Sequence, residues 1–142
     1  MISAVFDTNV VISGVLSPDS APGRLLNAIL DGHCRPVITD SILAEYEDVL
    51  NRPKFGFSPS RIHSLLDAIR STGLSAPFSV VAHADALPDA DDIIFLEAAI
   101  SLDVPIVTGN ARHFPKHAAG HIPVFAPAVF LAHLSRRSSN AR

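Results

Sequence analysis

Acidic side chains border apolar stretches at separate points of the chain. Asp7 is the first charged residue after the apolar run 2–6, and Asp91 and Asp92 directly precede an apolar, strongly helical run. Glu45 lies one turn into another predicted helix, with an apolar face beside it. Because an isolated carboxylate is costly to bury, Asp7 must be hydrogen-bonded, paired with a cationic side chain or bound to a metal ion.

If the fold brings these acids together, they form a site for a divalent cation. No run of Lys or Arg stands nearby to neutralise them, so the carboxylates would repel one another without a cation. Carboxylate oxygens at a partly hydrated site suit Mg²⁺ or Mn²⁺. Such ions activate water and stabilise the charge of an in-line displacement at phosphorus. The residue types therefore indicate nuclease or phosphatase chemistry.

Each acid also has an ordinary structural interpretation. Asp7, together with Thr8 and Asn9, could form only a turn and a helix cap. Asp91 and Asp92 could simply favour the positive end of a helix dipole. Convergence of the acids on one site is what would favour metal binding over these alternatives.

Two positions are ambiguous on spacing alone. Glu45 could be a solvated helix residue, and Glu47 fits the same spacing. Asn110 follows the predicted strand 104–108 and could be an ordinary turn residue. Both positions therefore stay candidates until the fold is known.

Three histidines, His113, His117 and His121, recur every four residues. On a helix this spacing would align them as zinc ligands. Pro115 and Gly120 interrupt such a helix, so we do not expect a zinc site there.

Short apolar segments alternate with helical ones along the chain. Ser20 and Ser58 precede two of the helical stripes as caps, and Gly32 and Gly73 follow them. The predicted strands are residues 2–6, 36–39, 78–81, 104–108 and 122–125, and the predicted helices are residues 20–31, 40–50, 59–72, 93–102 and 127–134. Strands that alternate with helices predict an α/β fold with a mostly parallel sheet of about five strands, covered by helices on both faces.

Two helix boundaries are less regular than the others. Residues 10–16 are apolar and begin a helix, which Gly14, Pro18 and Pro22 are expected to interrupt. Asp40 is expected to cap the helix that starts there.

In a parallel sheet, functional groups collect at the carboxyl ends of the strands, and the acids singled out above fall at or near that edge.

The bulk composition narrows the class of protein. The 142 residues suit one compact domain, expected at residues 1–134, with a basic, flexible tail at 135–142. The chain is 48% hydrophobic and has no apolar run long enough for a membrane span. A net charge of −3 argues against binding long duplex DNA by charge alone. The single cysteine, Cys34, and the lack of a basic leader segment lead us to expect a cytoplasmic protein.

The order and spacing of several segments carry a resemblance. They are residues 5–10 (Val-Phe-Asp-Thr-Asn-Val), 42–46 (Ile-Leu-Ala-Glu-Tyr), 49–55, 89–92 leading into 95–99, and 106–110 with 113–115. Together they resemble a PIN-domain ribonuclease, in particular the VapC-like toxins of type II toxin–antitoxin systems. The resemblance covers residues 1 to about 130 and implies a three-layer α/β/α sandwich with a central parallel sheet. It also implies Mg²⁺- or Mn²⁺-dependent cleavage of single-stranded RNA, in which metal-activated water attacks a phosphodiester.

The resemblance also implies roles for individual residues. Asp7, Glu45 and Asp92 match the family acids and would be the catalytic residues. The metal ligands would come from the same three and Asp91, with Asp7 and Asp92 as the direct ligands, although Asp91 could take the place of Asp92. Many members have a fourth acid where this chain has Asn110, so whether one or two metal ions bind stays open.

Further expectations concern substrate and partners. Thr8 and Asn9 would orient Asp7 and bind water or phosphate, and Asn110 would serve as a substrate-contacting or orienting residue. The segment 52–57, with its Arg, Lys and two Phe, could either contact RNA or merely cover the core. The implied partners are single-stranded RNA and a cognate antitoxin protein, and the apolar helix surfaces allow a homodimer.

Two other functions compete with this one. The chain could be a catalytically weakened PIN-like binding module that acts in a protein or RNA complex, which Asn110 would explain. It could also be a phosphate-handling α/β protein, such as a receiver or an aspartyl phosphohydrolase. Phosphohydrolases of that kind have an acid two residues after the nucleophile, where this chain has Asn9, so we favour the ribonuclease.

Overall fold

A five-stranded parallel sheet forms the centre of the fold. The computed structural model describes residues 2–77 and 84–140. The strands are β1 (Ser3–Phe6), β2 (Arg35–Ile38), β3 (Leu74–Ser75), β4 (Ile106–Val107) and β5 (Val124–Phe125). They are ordered β3-β2-β1-β4-β5, and every neighbouring pair is parallel. With its flanking helices, this sheet confirms the α/β sandwich predicted from the sequence.

Helices connect successive strands. They are α1 (Thr8–Leu16), α2 (Ala21–Leu30), α3 (Asp40–Leu50), α4 (Pro59–Thr72), α5 (Ile93–Leu102), α6 (Lys116–Ala119) and α7 (Pro127–Asn140). Short 3₁₀ turns lie at Pro53–Phe55, Ala84–Ala86, Ala90–Asp92 and Ala111–His113. Among the helices of the described ranges, none has both the length and the apolar character needed to cross a membrane.

The strand order places a crevice at one end of β1. Ala4, Val5 and Phe6 of this strand are essentially unexposed, and Phe6 makes an edge-to-face contact with Phe130 of α7. The chain leaves β1 toward β2 on one side, while β4 pairs with β1 on the other. Where the direction of winding reverses in this way, the carboxyl ends of the two strands frame a ligand-binding crevice.

The helix caps mostly agree with the predictions. Ser20 and Ser58 cap α2 and α4, each accepting a backbone N–H bond at 3.2 Å. The predicted cap of α3, Asp40, is wrong. Thr39 holds the cap position with an extended backbone, and its Oγ1 accepts the N–H of Ile42 at 3.0 Å. Asp40 is the first helical residue instead, where its charge still favours the helix dipole.

Two other predicted boundaries differ from the structure. Gly14 does not interrupt α1 but lets it approach α2 closely, because a Cβ there would lie 2.6 Å from Cδ1 of Leu26. The predicted strand 78–81 lies outside the described residues, and β3 is the strand on that side of the sheet. The last helix continues to Asn140 instead of ending at residue 134, so the residues expected to begin a flexible tail are helical.

Candidate metal centre

Asp7 is held at the junction of β1 and α1. Its backbone N–H donates to the carbonyl of Val107 at 2.9 Å, which extends the pairing of β1 with β4. The residue is 5% exposed, and its Oδ2 accepts hydrogen bonds from the hydroxyl of Thr108 at 2.7 Å and the amide of Asn9 at 3.2 Å. Because both bonds go to Oδ2, Oδ1 is the oxygen that can bind a further ligand.

Thr8 and Asn9 line the same cleft as Asp7. Asn9 also accepts the N–H of Gly109 on its Oδ1 at 3.1 Å, so this one side chain links the ends of β1 and β4. The buried Oγ1 of Thr8 has no hydrogen-bond partner within the described residues. An unpaired buried hydroxyl is costly, so Thr8 is suited to bind a ligand oxygen or water. That contact stays a prediction for both residues.

Asp92 and His113 form a cluster with Asp7. One potential ligand atom from each of the three side chains lies within 4.8 Å of the others. His113 Nδ1 and Asp92 Oδ2 are 3.3 Å apart but are not aligned for a hydrogen bond. Both atoms are buried, and neither has another partner in the described part of the chain. Two unsatisfied polar atoms that face each other mark a position that a cation can occupy.

The electrostatics of this cluster disfavour negative charge. Burial, and next the charge of Asp7, raise the pKa of Asp92 from 3.8 to about 6, although His113 acts in the opposite direction. Burial likewise raises the pKa of Glu45, with smaller contributions from neighbouring acids that include Asp91. A divalent cation in the cleft would remove this penalty, because it favours the ionised carboxylates.

Helix α3 brings Glu45 to the cleft. The adjacent Tyr46 is buried, and its hydroxyl donates a hydrogen bond to the carbonyl of Phe6, the residue before Asp7. Burial also raises the pKa of Tyr46, so the hydroxyl keeps its proton for this bond. Glu45 is half-buried and faces the cleft, whereas Glu47 is exposed and lies beside α4. Between the two glutamates that spacing could not separate, the structure places Glu45 in the site.

The cleft is open and strongly acidic. Its volume is about 400 Å³, and its wall includes Arg52 as a cationic side chain. The acids that line it are Asp7, Glu45, Asp89, Asp91 and Asp92. Asp91 is exposed at the rim and lies outside the three-residue cluster, so Asp92 is the better placed of the two neighbours to bind an ion directly.

Asn110 does not line the cleft, although it was predicted to contact or orient substrate. It is exposed, and its Oδ1 accepts the N–H of Arg112 at 3.3 Å, which caps the turn that carries His113. A contact of Asn110 with substrate stays a prediction.

His113 was not predicted to belong to the site. The feature of the sequence that could have indicated it is its position three residues after Asn110. His121, from the same predicted stripe, lies at the surface and contacts Asp103 at 3.1 Å.

The donor set of this site fits a divalent cation. Two buried carboxylates and one imidazole supply three ligand atoms, and Thr8 and Glu45 add oxygen atoms in the same cleft. The buried atoms of Asp92, His113 and Thr8 that lack hydrogen-bond partners are those a bound ion or its water shell would satisfy.

The parallel sheet with an acidic cluster at the carboxyl ends of β1 and β4 defines a PIN-like α/β protein. The PIN domain family model matches residues 3–112, so the chain belongs to the PIN domain family. PIN domains are generally nucleases that use divalent metal ions. An uncharacterised protein of Methanocaldococcus jannaschii is 30% identical over 112 residues, which span 77% of this chain and 71% of that protein. The predicted membership of the PIN domain family is thereby confirmed.

Proposed function

We propose that this PIN domain is an Mg²⁺- or Mn²⁺-dependent endoribonuclease that cleaves single-stranded RNA, acting as the toxin of a toxin–antitoxin pair. The observation that carries the proposal is the cluster of the buried Asp7 and Asp92, which line an acidic cleft, with the half-buried His113 beside them. These side chains are costly to bury without a cation, and they stand at the end of the sheet where a substrate can approach.

Different residues of the cleft have different roles in the proposed reaction. Asp7 and Asp92 hold the ion, while Thr108 and Asn9 fix the orientation of Asp7 through the hydrogen bonds to its Oδ2. When bound, the ion supplies activation of water and neutralisation of charge on the phosphate. Glu45, whose pKa is raised, is suited to take up a proton from water at the scissile phosphate.

The rim of the cleft favours a flexible, single-stranded substrate. Phe55 lines the cleft and stacks on Phe57, with ring centroids 5.6 Å apart and planes 9° from parallel. The ammonium of Lys54 lies 5.1 Å from the centre of the Phe55 ring. Aromatic faces beside cationic side chains bind unpaired bases by stacking, while a base inside a duplex offers no free face.

The test is RNA cleavage by the purified chain with Mg²⁺ or Mn²⁺. Asp7→Asn should reduce the cleavage rate by more than about 100-fold, since even indirect partners of a metal ligand are worth about 10–100-fold. Asp103→Asn changes an exposed acid remote from the cleft and should leave the rate unchanged. Full activity in EDTA, or in the Asp7→Asn variant, would sink the metal-dependent mechanism.

A second candidate function is a binding module with weakened catalysis. It is favoured by Asn110, because the residue at this position after β4 is not an acid. The segment after β4 therefore contributes no carboxylate to the cleft. Under this alternative, single-stranded RNA binds but is not cleaved at any concentration of Mn²⁺. Gel-shift and cleavage assays on the same RNA separate the two functions.

We also propose the cellular setting that a toxin requires. A cognate antitoxin covers the acidic cleft, and both proteins are cytoplasmic. Residues 1–134 form the single domain to which the antitoxin binds. Leu16 and Leu30 are 52% and 47% exposed on α1 and α2, which offers apolar area to the antitoxin or to a second copy of the chain. Copurification of a small protein encoded next to this one, with loss of RNA cleavage in the complex, tests this setting.

A further inference from the structure

We propose that His113 is a direct nitrogen ligand of the metal ion, and that it makes the centre selective for Mn²⁺ over Mg²⁺. This inference rests on the proposed function, because it concerns the ion that the cleft would hold. It goes beyond that function by naming a ligand that is not an acid and the selectivity that follows from it.

The first support is the geometry of His113 and Asp92. Their facing atoms, Nδ1 and Oδ2, are 3.3 Å apart and buried, and in the described ranges neither has a hydrogen-bond partner. Two ligands bound to one ion at about 2.1 Å each lie roughly 3.0–3.4 Å apart, depending on the angle between them. The observed separation therefore suits atoms that share an ion.

An ordinary histidine–aspartate ion pair is the competing interpretation. The chain contains two exposed pairs for comparison. His121 Nε2 and Asp103 Oδ1 are 3.1 Å apart and satisfy hydrogen-bond geometry, whereas His63 Nε2 and Asp67 Oδ2, also 3.1 Å apart, make only an ion-pair contact in solvent. At His113 and Asp92 the atoms are more buried, yet their alignment fails. Burial normally makes a pair align more strictly, because an unmade bond costs more there. The exception at His113 favours a shared ligand.

Neighbouring residues hold His113 beside Asp92. The hydroxyl of Thr108 donates to Asp7 Oδ2 at 2.7 Å and accepts the N–H of Asn110 at 3.1 Å. Asn110 caps the turn that carries His113, and the next residue, Phe114, is 3% exposed and anchors the turn in the core. The position of His113 is thus fixed relative to Asp7 before any ion binds.

A nitrogen ligand changes which ion the site prefers. Mg²⁺ favours oxygen ligands and keeps several waters, whereas imidazole suits first-row transition metals. Mn²⁺ accepts both donor types, so a site with two carboxylates and one imidazole should bind it more tightly than Mg²⁺. Co²⁺, which follows Mn²⁺ in the general order of affinity, should bind more tightly still.

The experiment measures metal binding without RNA. Calorimetry gives the affinities of the purified protein for Mn²⁺ and Mg²⁺, and electron spin echo envelope modulation of bound Mn²⁺ reports directly on a coordinated nitrogen. His113→Asn places an amide group close to the position of Nδ1 and should lower the Mn²⁺ affinity about tenfold, with a smaller effect on Mg²⁺. The nitrogen modulation should disappear in this variant. His121→Asn is the matched control and should change neither quantity.

The outcomes separate this inference from the proposed function. Saturable Mn²⁺ binding without nitrogen modulation, or an unchanged Mn²⁺/Mg²⁺ ratio in His113→Asn, would overturn the role of His113 while leaving the metal site intact. Absence of saturable binding in the unmodified protein would overturn both. If His113→Asn fails to fold by circular dichroism, His113→Gln serves as the second variant, with the same expected loss of nitrogen modulation.

Discussion

Replacing Asp92 by asparagine should stabilise the metal-free protein while destroying its metal site. Asp92 is 7% exposed, and its Oδ2 has no hydrogen-bond partner within the described residues. Its negative charge is therefore poorly compensated without an ion. Asp92→Asn removes the charge and keeps the shape, so the effect on stability is dominated by electrostatics.

The pKa of Asp92 gives the magnitude. Burial and the charge of Asp7 raise it from 3.8 to about 6. At about 1.36 kcal/mol for each pH unit, ionising Asp92 costs the folded protein about 3 kcal/mol. The substituted amide is itself buried without an evident partner, which costs about 1–2 kcal/mol in return. The net gain in the free energy of unfolding should be about 1–2 kcal/mol, or about 3–6 °C in Tm for a chain of this length.

The sign of the pH dependence follows from the raised pKa of Asp92. Below about pH 4 the carboxyl is protonated in both the folded and the unfolded protein, so Asp92 imposes no cost. As the pH rises through 4 to 6, the unfolded chain releases its proton first, and the folded protein loses stability relative to it. The advantage of Asp92→Asn should therefore be complete above about pH 7 and disappear near pH 5. Below about pH 4 only the cost of the buried amide is left, so the variant should be the less stable of the two there.

The assay is thermal and denaturant unfolding in EDTA at several pH values, repeated with Mn²⁺. A metal ion at about 100 times its Kd stabilises the folded state by about 2.7 kcal/mol. Mn²⁺ should thus raise the Tm of the unmodified protein and leave that of Asp92→Asn almost unchanged, so that the ranking of the two reverses. Asp103→Asn is the control, because Asp103 also contacts a histidine but is exposed.

One result would refute this reasoning. If Asp92→Asn is less stable than the unmodified protein in EDTA at pH 8, the attraction between Asp92 and His113 outweighs the cost of burying the charge. The 3.3 Å contact would then be a stabilising ion pair, and the raised pKa of Asp92 would be wrong in direction.

Two further substitutions test how the fold supports the site. Tyr46→Phe removes the hydrogen bond to the carbonyl of Phe6 and should lower the free energy of unfolding, measured in denaturant, by about 1–3 kcal/mol. RNA cleavage should also fall, because Glu45 is the adjacent residue on α3. An unchanged free energy of unfolding would show that the bond contributes nothing. Gly23→Ala places a Cβ 2.2 Å from the carbonyl oxygen of Pro18, so we expect overpacking to lower the free energy of unfolding by at least about 1–3 kcal/mol. An unaltered Tm would contradict the close approach of Gly23 to Pro18 at the start of α2.

The fold could be predicted where local chemistry and periodicity agree. Ser20 and Ser58 each precede a helical stripe, and the structure shows both hydroxyls accepting backbone N–H bonds. Asp7 likewise stands directly after a run of buried apolar residues, so the end of β1 is visible in the sequence. In these cases the residue that ends an element also carries the signal.

Other features depend on contacts between distant parts of the chain. β3 contains only Leu74 and Ser75, and their strand conformation is defined by pairing with Val37 and Ile38 of β2. Two residues are too few for any alternation of side chains to be visible. The role of Gly14 also depends on a distant contact, because it is Leu26 of the neighbouring helix that leaves no room for a side chain there. The conformation that glycine favours locally does not indicate this.

The site itself shows why its acids were predictable and its histidine was not. Asp7 and Asp92 border apolar elements, so their positions at the edge of the sheet follow from the order of strands and helices. His113 lies beside Asp92 because residues 111–113 form a 3₁₀ turn. Such a turn repeats every three residues and brings the side chains of Asn110 and His113 to nearby positions. Asn110 uses its side chain to cap that turn, which leaves the imidazole to face Asp92. Rules that distinguish helix from strand do not predict such short turns, so the ligand that sets the metal preference was absent from the predicted site.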